Sequence, residues 1–224
     1  MIKNFNELRK SPLFHDISDD QLTAMLGCLD ARDMHYEKGQ HIFTEGDPAT
    51  NIGLILSGSA QVVQIDYYGN RSIVTTILPS ELFGESFACA GVDSLPINIV
   101  ATEDSDVLLI DCKRITTTCC NSCSFHNQII YNLMKIVATK NLMFNQKISI
   151  TSKRSTKAKL IAYLLNEAKK NQSDFFTIPY DRQELADYLG VERSGLSSEI
   201  GKLHKSGLIE VNKNVFKLSK DLTY

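Results

Sequence analysis

Arg193, Ser194, Ser197 and Ser198 are spaced so that a helix would carry all four on one face, while Leu196, Ile200 and Leu203 recur at i, i+4 and i+7 on another. The apolar stripe fixes what is buried, so the arginine and the three hydroxyls must point outward. That outer face is short, polar and nearly uncharged, and its chemistry is hydrogen bonding of the kind that reads a DNA groove. A second set is soft and nucleophilic: Cys112, Cys119, Cys120 and Cys123 fall within twelve residues. The x2 spacing of Cys120 and Cys123 lets two thiolates grip one metal ion or one edge of an iron-sulfur cluster, with His126 as a further ligand. Reduced thiols without a metal are the expected state, and a redox- or metal-responsive regulator acting through this cysteine group is the alternative. The five histidines, His15, His35, His41, His126 and His204, form no metal-ligand pair and no triad, so neither a catalytic residue nor an enzyme is expected.

The elements that position the polar face can be read outward from it. Asp181 with Glu184 three residues on is a capping-box-like start, and Leu185, Ala186 and Leu189 supply the apolar face of a helix from Arg182 to about Leu189. Gly190 gives the backbone freedom for a sharp turn, and Val191 is the apolar plug between two steeply crossing helices. The second helix follows at once from Glu192, and Gly207 is placed to close it as a left-handed cap. Leu208 to Val211 and Val215 to Leu218 flank Asn212-Lys213-Asn214, which predicts a two-stranded ribbon. The order is that of a winged helix-turn-helix. Charge supports a nucleic-acid partner over an inert packing unit: residues 151–224 carry a net +4 and residues 1–150 a net −6.

The first half reads as β-rich. After an amphipathic helix over Ser18 to Leu29, short apolar runs alternate with turns at Gly39, Gly46-Asp47, Gly58, Gly69-Asn70 and Gly84. The runs Ile52 to Leu56, Ala60 to Ile65, Ser72 to Leu78 and Val107 to Ile110 suit a β jelly roll better than alternating β and α units. No apolar run reaches the length of a membrane span and Met1 to Lys10 lacks the pattern of a signal peptide, so a cytoplasmic protein without a membrane partner is expected.

From Ser124 the pattern becomes a helix of at least twenty residues with Ile129, Ile130, Leu133, Ile136, Val137 and Met143 on more than one face. One neighbour cannot cover that much apolar surface, and a second stripe serving an identical chain predicts a parallel homodimer about this helix. The fold class expected is α+β: a jelly roll over residues 1–123, a dimerisation helix over 124–148, and a winged helix-turn-helix domain over 149–224. The polar segment Ser149 to Lys159 is placed as the hinge and first turn of the last domain, whose first helix starts over Lys157 to Leu165.

In that order the chain resembles the CRP/FNR family of bacterial transcription regulators over nearly its whole length. The resemblance rests on Leu8 to Phe14 with Leu22 to Leu26, Tyr36-Glu37-Lys38-Gly39, Glu45-Gly46-Asp47, Gly58, Phe83-Gly84-Glu85, the long helix, and Arg182-Gln183-Glu184-Leu185 through Leu203. It implies a cyclic-nucleotide-binding-type jelly roll that senses a small effector, a homodimer, and a helix-turn-helix that reads a palindromic site in double-stranded DNA. Carried across by position, Arg193, Ser194 and Ser197 fall on base-contacting positions, and Arg193 leads because a guanidinium donates two hydrogen bonds to O6 and N7 of a guanine. Ser198 stands where the family commonly has arginine, so that charge and its phosphate or base contact are lost and the family's usual half-site does not carry over by resemblance alone. Arg182, Gln183 and the wing residue Lys213 are the phosphate-contacting candidates.

In the sensor, Gly84, Glu85 and Ser86 occupy the turn that holds a cyclic nucleotide's phosphate and ribose in the family's cyclic-AMP receptors, and Leu95-Pro96 stands where those receptors place Arg-Ser. A phosphate buried against Leu and Pro lacks its cation, so cyclic AMP in the usual mode is disfavoured and the effector is unidentified. Cluster cysteines of the oxygen-sensing branch lie near the N-terminus, where this chain has none before Cys28. Contact with RNA polymerase, a further partner the family implies, would run through exposed loops.

Overall fold

The computed structural model of the chain describes residues 5–65, 67, 71–117 and 124–222. Cys119, Cys120 and Cys123 lie outside the described residues. Two compact units, Met1–Thr139 and Lys140–Tyr224, make up the chain.

The first unit opens with helix α1 (Phe5–Lys10), a short 3-10 turn (Pro12–Phe14) and α2 (Asp19–Cys28). Ser18 caps α2 in a full capping box with Gln21, so the predicted helix stands. Then come β1 (Arg32–Tyr36), β2 (His41–Phe43), β3 (Asn51–Ser57), β4 (Ala60–Ile65), β5 (Arg71–Ile77), β6 (Leu82–Phe83), α3 (Glu85–Ala90), β7 (Asn98–Ala101), β8 (Ser105–Asp111) and α4 (Cys112–Thr116). The strands form two antiparallel four-stranded sheets, ordered β1-β8-β3-β6 and β2-β7-β4-β5.

Alternation along β3 explains why its sequence is a continuous apolar run. Ile55 points into a core shared by both sheets, with Val107 and Leu109 of β8, Ile99 and Ala101 of β7, and Ile42 and Phe43 of β2. Ile52, Leu54 and Leu56 point the other way, into a second core with Leu108 and Ile110 of β8 and a helical layer of Leu8, Leu13, Leu22, Met25 and Ile115. The β3–β8 centre of that sheet is therefore covered on both faces, by the roll interior and by helices, while β1 at its edge is mostly exposed.

The long helix α5 (Ser124–Thr151) belongs to that helical layer through Ile129 and Leu133. It continues past the expected end at 148. Beyond it lie α6 (Thr156–Asn171), β9 (Phe175–Thr177), α7 (Arg182–Leu189), α8 (Arg193–Lys205), β10 (Ile209–Asn212) and β11 (Val215–Leu218). The break between α5 and α6 is residues 152–155, and α6 starts one residue before the expected Lys157, because Ser155 caps it through the Ala158 amide. The wing is also larger than the two-stranded ribbon read from the sequence: β11 pairs with β10 on one side and with β9 on the other. Only Phe176 of the three-residue β9 is buried, which leaves too short an alternation to mark a strand.

Candidate DNA-binding face and effector turn

In the second unit, Asp181 accepts hydrogen bonds from the Gln183 and Glu184 amides at 2.7 and 2.8 Å, while its own amide donates to Glu184 at 2.7 Å. This reciprocal cap fixes the start of α7. Gly190 ends it at φ 60°, and its amide closes onto the Ala186 and Asp187 carbonyls. Lys159 Nζ donates to the Leu189 and Gly190 carbonyls at 3.1 and 3.2 Å, placing a cation at the carbonyl end of α7. α7 is thus fixed at both ends, and the turn that leads into α8 starts from a held position.

Leu196, Ile200 and Leu203 of α8 are buried in one cluster with Leu185, Ala186 and Leu189 of α7 and with Ile209, Phe216 and Leu218 of the wing. Arg193, Ser194, Ser197 and Ser198 are all exposed. The four are brought onto one open helical face, and Glu199 is neutralised by Lys202 at 2.6 Å. Lys213 occupies the wing turn at φ 53° with its side chain exposed. Gln183 is exposed and donates to Asp187 at 2.9 Å.

Arg182, a phosphate-contacting candidate, is half-buried rather than fully exposed. Its guanidinium carbon lies 5.4 Å from the Phe216 ring centroid, and burial lowers its pKa from the ordinary arginine value. It still carries charge, but on a side chain held by packing. Sequence reasoning missed this anchor because Phe216 is 34 residues away and the spacing carries no signal of it.

The end of α5 is built into the same unit. Ile150 joins its core, and Lys147 Nζ sits 5.1 Å from the centroid of Tyr188 on α7. Tyr188 belongs to an aromatic group with Tyr163 and Tyr180, at centroid separations of 5.1 to 6.3 Å. Elsewhere on α5, Tyr131, Met134, Leu142, Met143, Phe144 and Ile148 are exposed.

In the first unit, Gly84 adopts φ 78° and opens α3. A Cβ there would stand 2.8 Å from the Phe43 ring and 3.2 Å from the Asn51 carbonyl oxygen, so glycine is required sterically as well as conformationally. Phe43 meets Phe83 edge to face at 5.3 Å. Glu85 is buried and Ser86 exposed, and the Ser86 hydroxyl reaches Glu85 Oε1 at 3.4 Å. Leu95 is buried in the roll core, with its backbone bonded to the Gly46-Asp47 turn at 2.8 and 2.9 Å, whereas Pro96 is exposed. Leu95 is therefore a core residue before it is a ligand contact.

A cleft of about 410 Å³ runs along β7, lined by Lys38, His41, Val63, Ile65, Asn98 and Val100 among others. The cross-strand pairs Gln61–Val100 and Val63–Asn98 alternate with Ala60–Ala101 and Val62–Ile99, which face the roll core, so this cleft opens on the opposite face of the sheet. It holds none of Gly84, Glu85, Ser86, Leu95 or Pro96.

No group of three or more metal-ligating side chains occurs among the described residues. His126 Nε2 donates to the Arg114 and Ile115 carbonyls at 2.9 and 3.1 Å, pinning the start of α5 to α4. Its Nδ1 is buried with no hydrogen-bond partner among the described residues. The Cys112 and Cys89 sulfurs stand 3.6 Å apart.

Residues 33–119 match the cyclic nucleotide-binding domain family, and residues 158–220 match the Crp-like helix-turn-helix domain family. The chain is 25% identical over 181 residues to the transcriptional activator protein FnrA of Stutzerimonas stutzeri, spanning 78% of this chain and 71% of that one. Among solved structures, its fold is similar to that of CLP from Xanthomonas campestris, a c-di-GMP responsive global regulator, with a TM-score of 0.57 at 18% identity over 88% of this chain and 98% of the other. FixK2 of Bradyrhizobium japonicum superposes with a TM-score of 0.51 at 19% identity, covering 85% of this chain and 93% of that one.

Proposed function

The chain belongs to the CRP/FNR family of DNA-binding transcription regulators, and from that premise we propose that it acts as a cytoplasmic homodimer on a palindromic promoter site under the control of a small effector bound by its roll. The observation that carries this reading is the open face of α8. Its apolar side is consumed by the core of the second unit, and Arg193, Ser194, Ser197 and Ser198 are left together in solvent. Arg193 is assigned the bidentate guanine contact, the three serines the adaptable polar contacts, and Arg182, Gln183 and Lys213 the phosphates.

The homodimer is supported by the exposed apolar residues of α5, which water alone would leave at a cost. Two recognition helices related by a dyad would meet half-sites roughly one helical turn, about 34 Å, apart. On the sensor side, Gly84, Glu85 and Ser86 form the proposed effector turn. Leu95, which packs into the roll core, and Pro96 bring no cation to that site, which argues for an effector without a buried phosphate there. No helix among the described residues is long and apolar enough to cross a membrane.

The test is duplex binding by full-length protein of confirmed dimeric mass, at several salt concentrations, with and without small-molecule extract of the source cells. Saturable binding to a subset of promoter duplexes, altered by extract, is expected. Binding that is absent at low salt, or equal for all duplexes in every condition, would refute the reading.

A further inference from the structure

Cys89 and Cys112 are 23 positions apart in sequence, yet their sulfurs stand 3.6 Å from each other. Cys89 is exposed near the end of α3, and Cys112 is the buried first residue of α4. Both backbones are held: Gly91 caps α3 at φ 65°, and the Cys112 amide donates to the Thr50 carbonyl at 3.0 Å. A disulfide needs its sulfurs about 2.05 Å apart, so closing the pair takes a shift of about 1.5 Å, which a rotation about the exposed Cys89 side chain would supply.

We propose that Cys89 and Cys112 are a reversible redox modification site, converted by a hydroperoxide into an intramolecular disulfide that ties α3 to α4. The exposed Cys89 reacts first. Its thiolate attacks the peroxide oxygen, giving a sulfenic acid and hydroxide from hydrogen peroxide. The Cys112 sulfur then attacks the Cys89 sulfur, the S–S bond forms, and the oxygen leaves as water with the thiol proton. In sum two thiols lose two electrons and two protons while one peroxide becomes two waters. Burial and the neighbouring Cys89 raise the Cys112 thiol to about 12, so Cys112 is a poor first target for peroxide and reacts only with an electrophile already placed beside it.

The location gives the bond a consequence. α3 begins at Glu85, immediately after the Gly84 turn, and Ile115 of α4 lies in the core that contains Ile129 and Leu133 of α5. The bridge would join the proposed effector turn covalently to the helical layer of the same unit. A reversible bond of this kind suits a reducing compartment, where disulfides persist only transiently.

The experiment is disulfide mapping of the full chain. Reduced protein is exposed to one to five equivalents of hydrogen peroxide, trapped with N-ethylmaleimide and digested with an Asp- or Glu-specific protease, because residues 72–112 contain no Lys or Arg for trypsin. A Cys89–Cys112 linked peptide is expected, lost on treatment with dithiothreitol, together with a rise in Tm of several degrees in the oxidised protein. Cys89→Ser, an exposed substitution that spares the core, should show neither the peptide nor the rise. Cys112 trapped as its maleimide adduct while Cys89 is oxidised or alkylated, bridges found only among other cysteines, or the same Tm rise in Cys89→Ser would overturn the proposal.

Discussion

The guanidinium of Arg182 lies over the ring of Phe216, 5.4 Å from its centroid, and so joins the first residue of α7 to the middle of the wing strand β11. In the proposed phosphate contact, a charge held in this way would have little conformational entropy left to lose. Arg182→Ala should lower stability by about 0.5–1 kcal/mol and reduce the salt slope of DNA affinity by about 1. Arg182→Lys should restore the slope more fully than the stability. Urea unfolding and a salt titration of duplex binding measure the two effects separately.

Gly84→Ala tests the packing of the proposed effector turn. The substitution combines a left-handed φ with a Cβ 2.8 Å from the Phe43 ring, and a loss of about 1–3 kcal/mol is expected. Thermal unfolding is the measurement. An unchanged Tm would mean that Phe43 does not close over the turn.

Tyr163 is buried among Tyr180, Tyr188 and the core of the second unit, and its hydroxyl has no hydrogen-bond partner among the described residues. An unsatisfied buried hydroxyl is a net cost, so Tyr163→Phe should leave stability unchanged or raise it by about 1 kcal/mol. A loss of the same size in urea unfolding would show that the hydroxyl is satisfied.

Cys112 gives the alkaline side of the stability profile. Its thiol is pushed up to about 12 from an ordinary 9.0, first by burial and then by Cys89. The folded state therefore holds this proton more tightly than the unfolded chain. The stabilisation from the neutral thiol is complete below about pH 9 and is lost as pH rises toward 12. Under reducing conditions, Cys112→Ala should be less stable than the parent at neutral pH and should lose stability less steeply between those values. Parallel profiles would contradict the assignment.

Much of this fold was legible because local and tertiary signals agree. Asp181, Glu184 and Gly190 mark the ends of α7, and the Leu196-Ile200-Leu203 stripe leaves the polar face of α8 only one way to point. The run Ile52 to Leu56 was readable as a strand but not as one buried on both faces, since periodicity cannot tell which of two cores each residue serves. What escaped the sequence depends on long-range contact. β9 is recruited by β11, Arg182 by Phe216, and Cys89 meets Cys112 only because α3 packs on α4. Leu95 was placed near the effector turn by position alone, and its burial in the roll core follows from the Gly46-Asp47 turn that clamps its backbone.

The most direct test of the central claim is the base preference of the recognition helix, measured by selecting duplexes from a randomised pool with the parent protein and with Arg193→Ala. The parent should enrich a two-fold symmetric site. Arg193→Ala should lose about 1–3 kcal/mol on that site and relax one guanine position in each half, with the other positions kept. Enrichment of no symmetric site by the parent, or an equal loss on all duplexes with the preference intact, would contradict the account, the second result making Arg193 a phosphate contact.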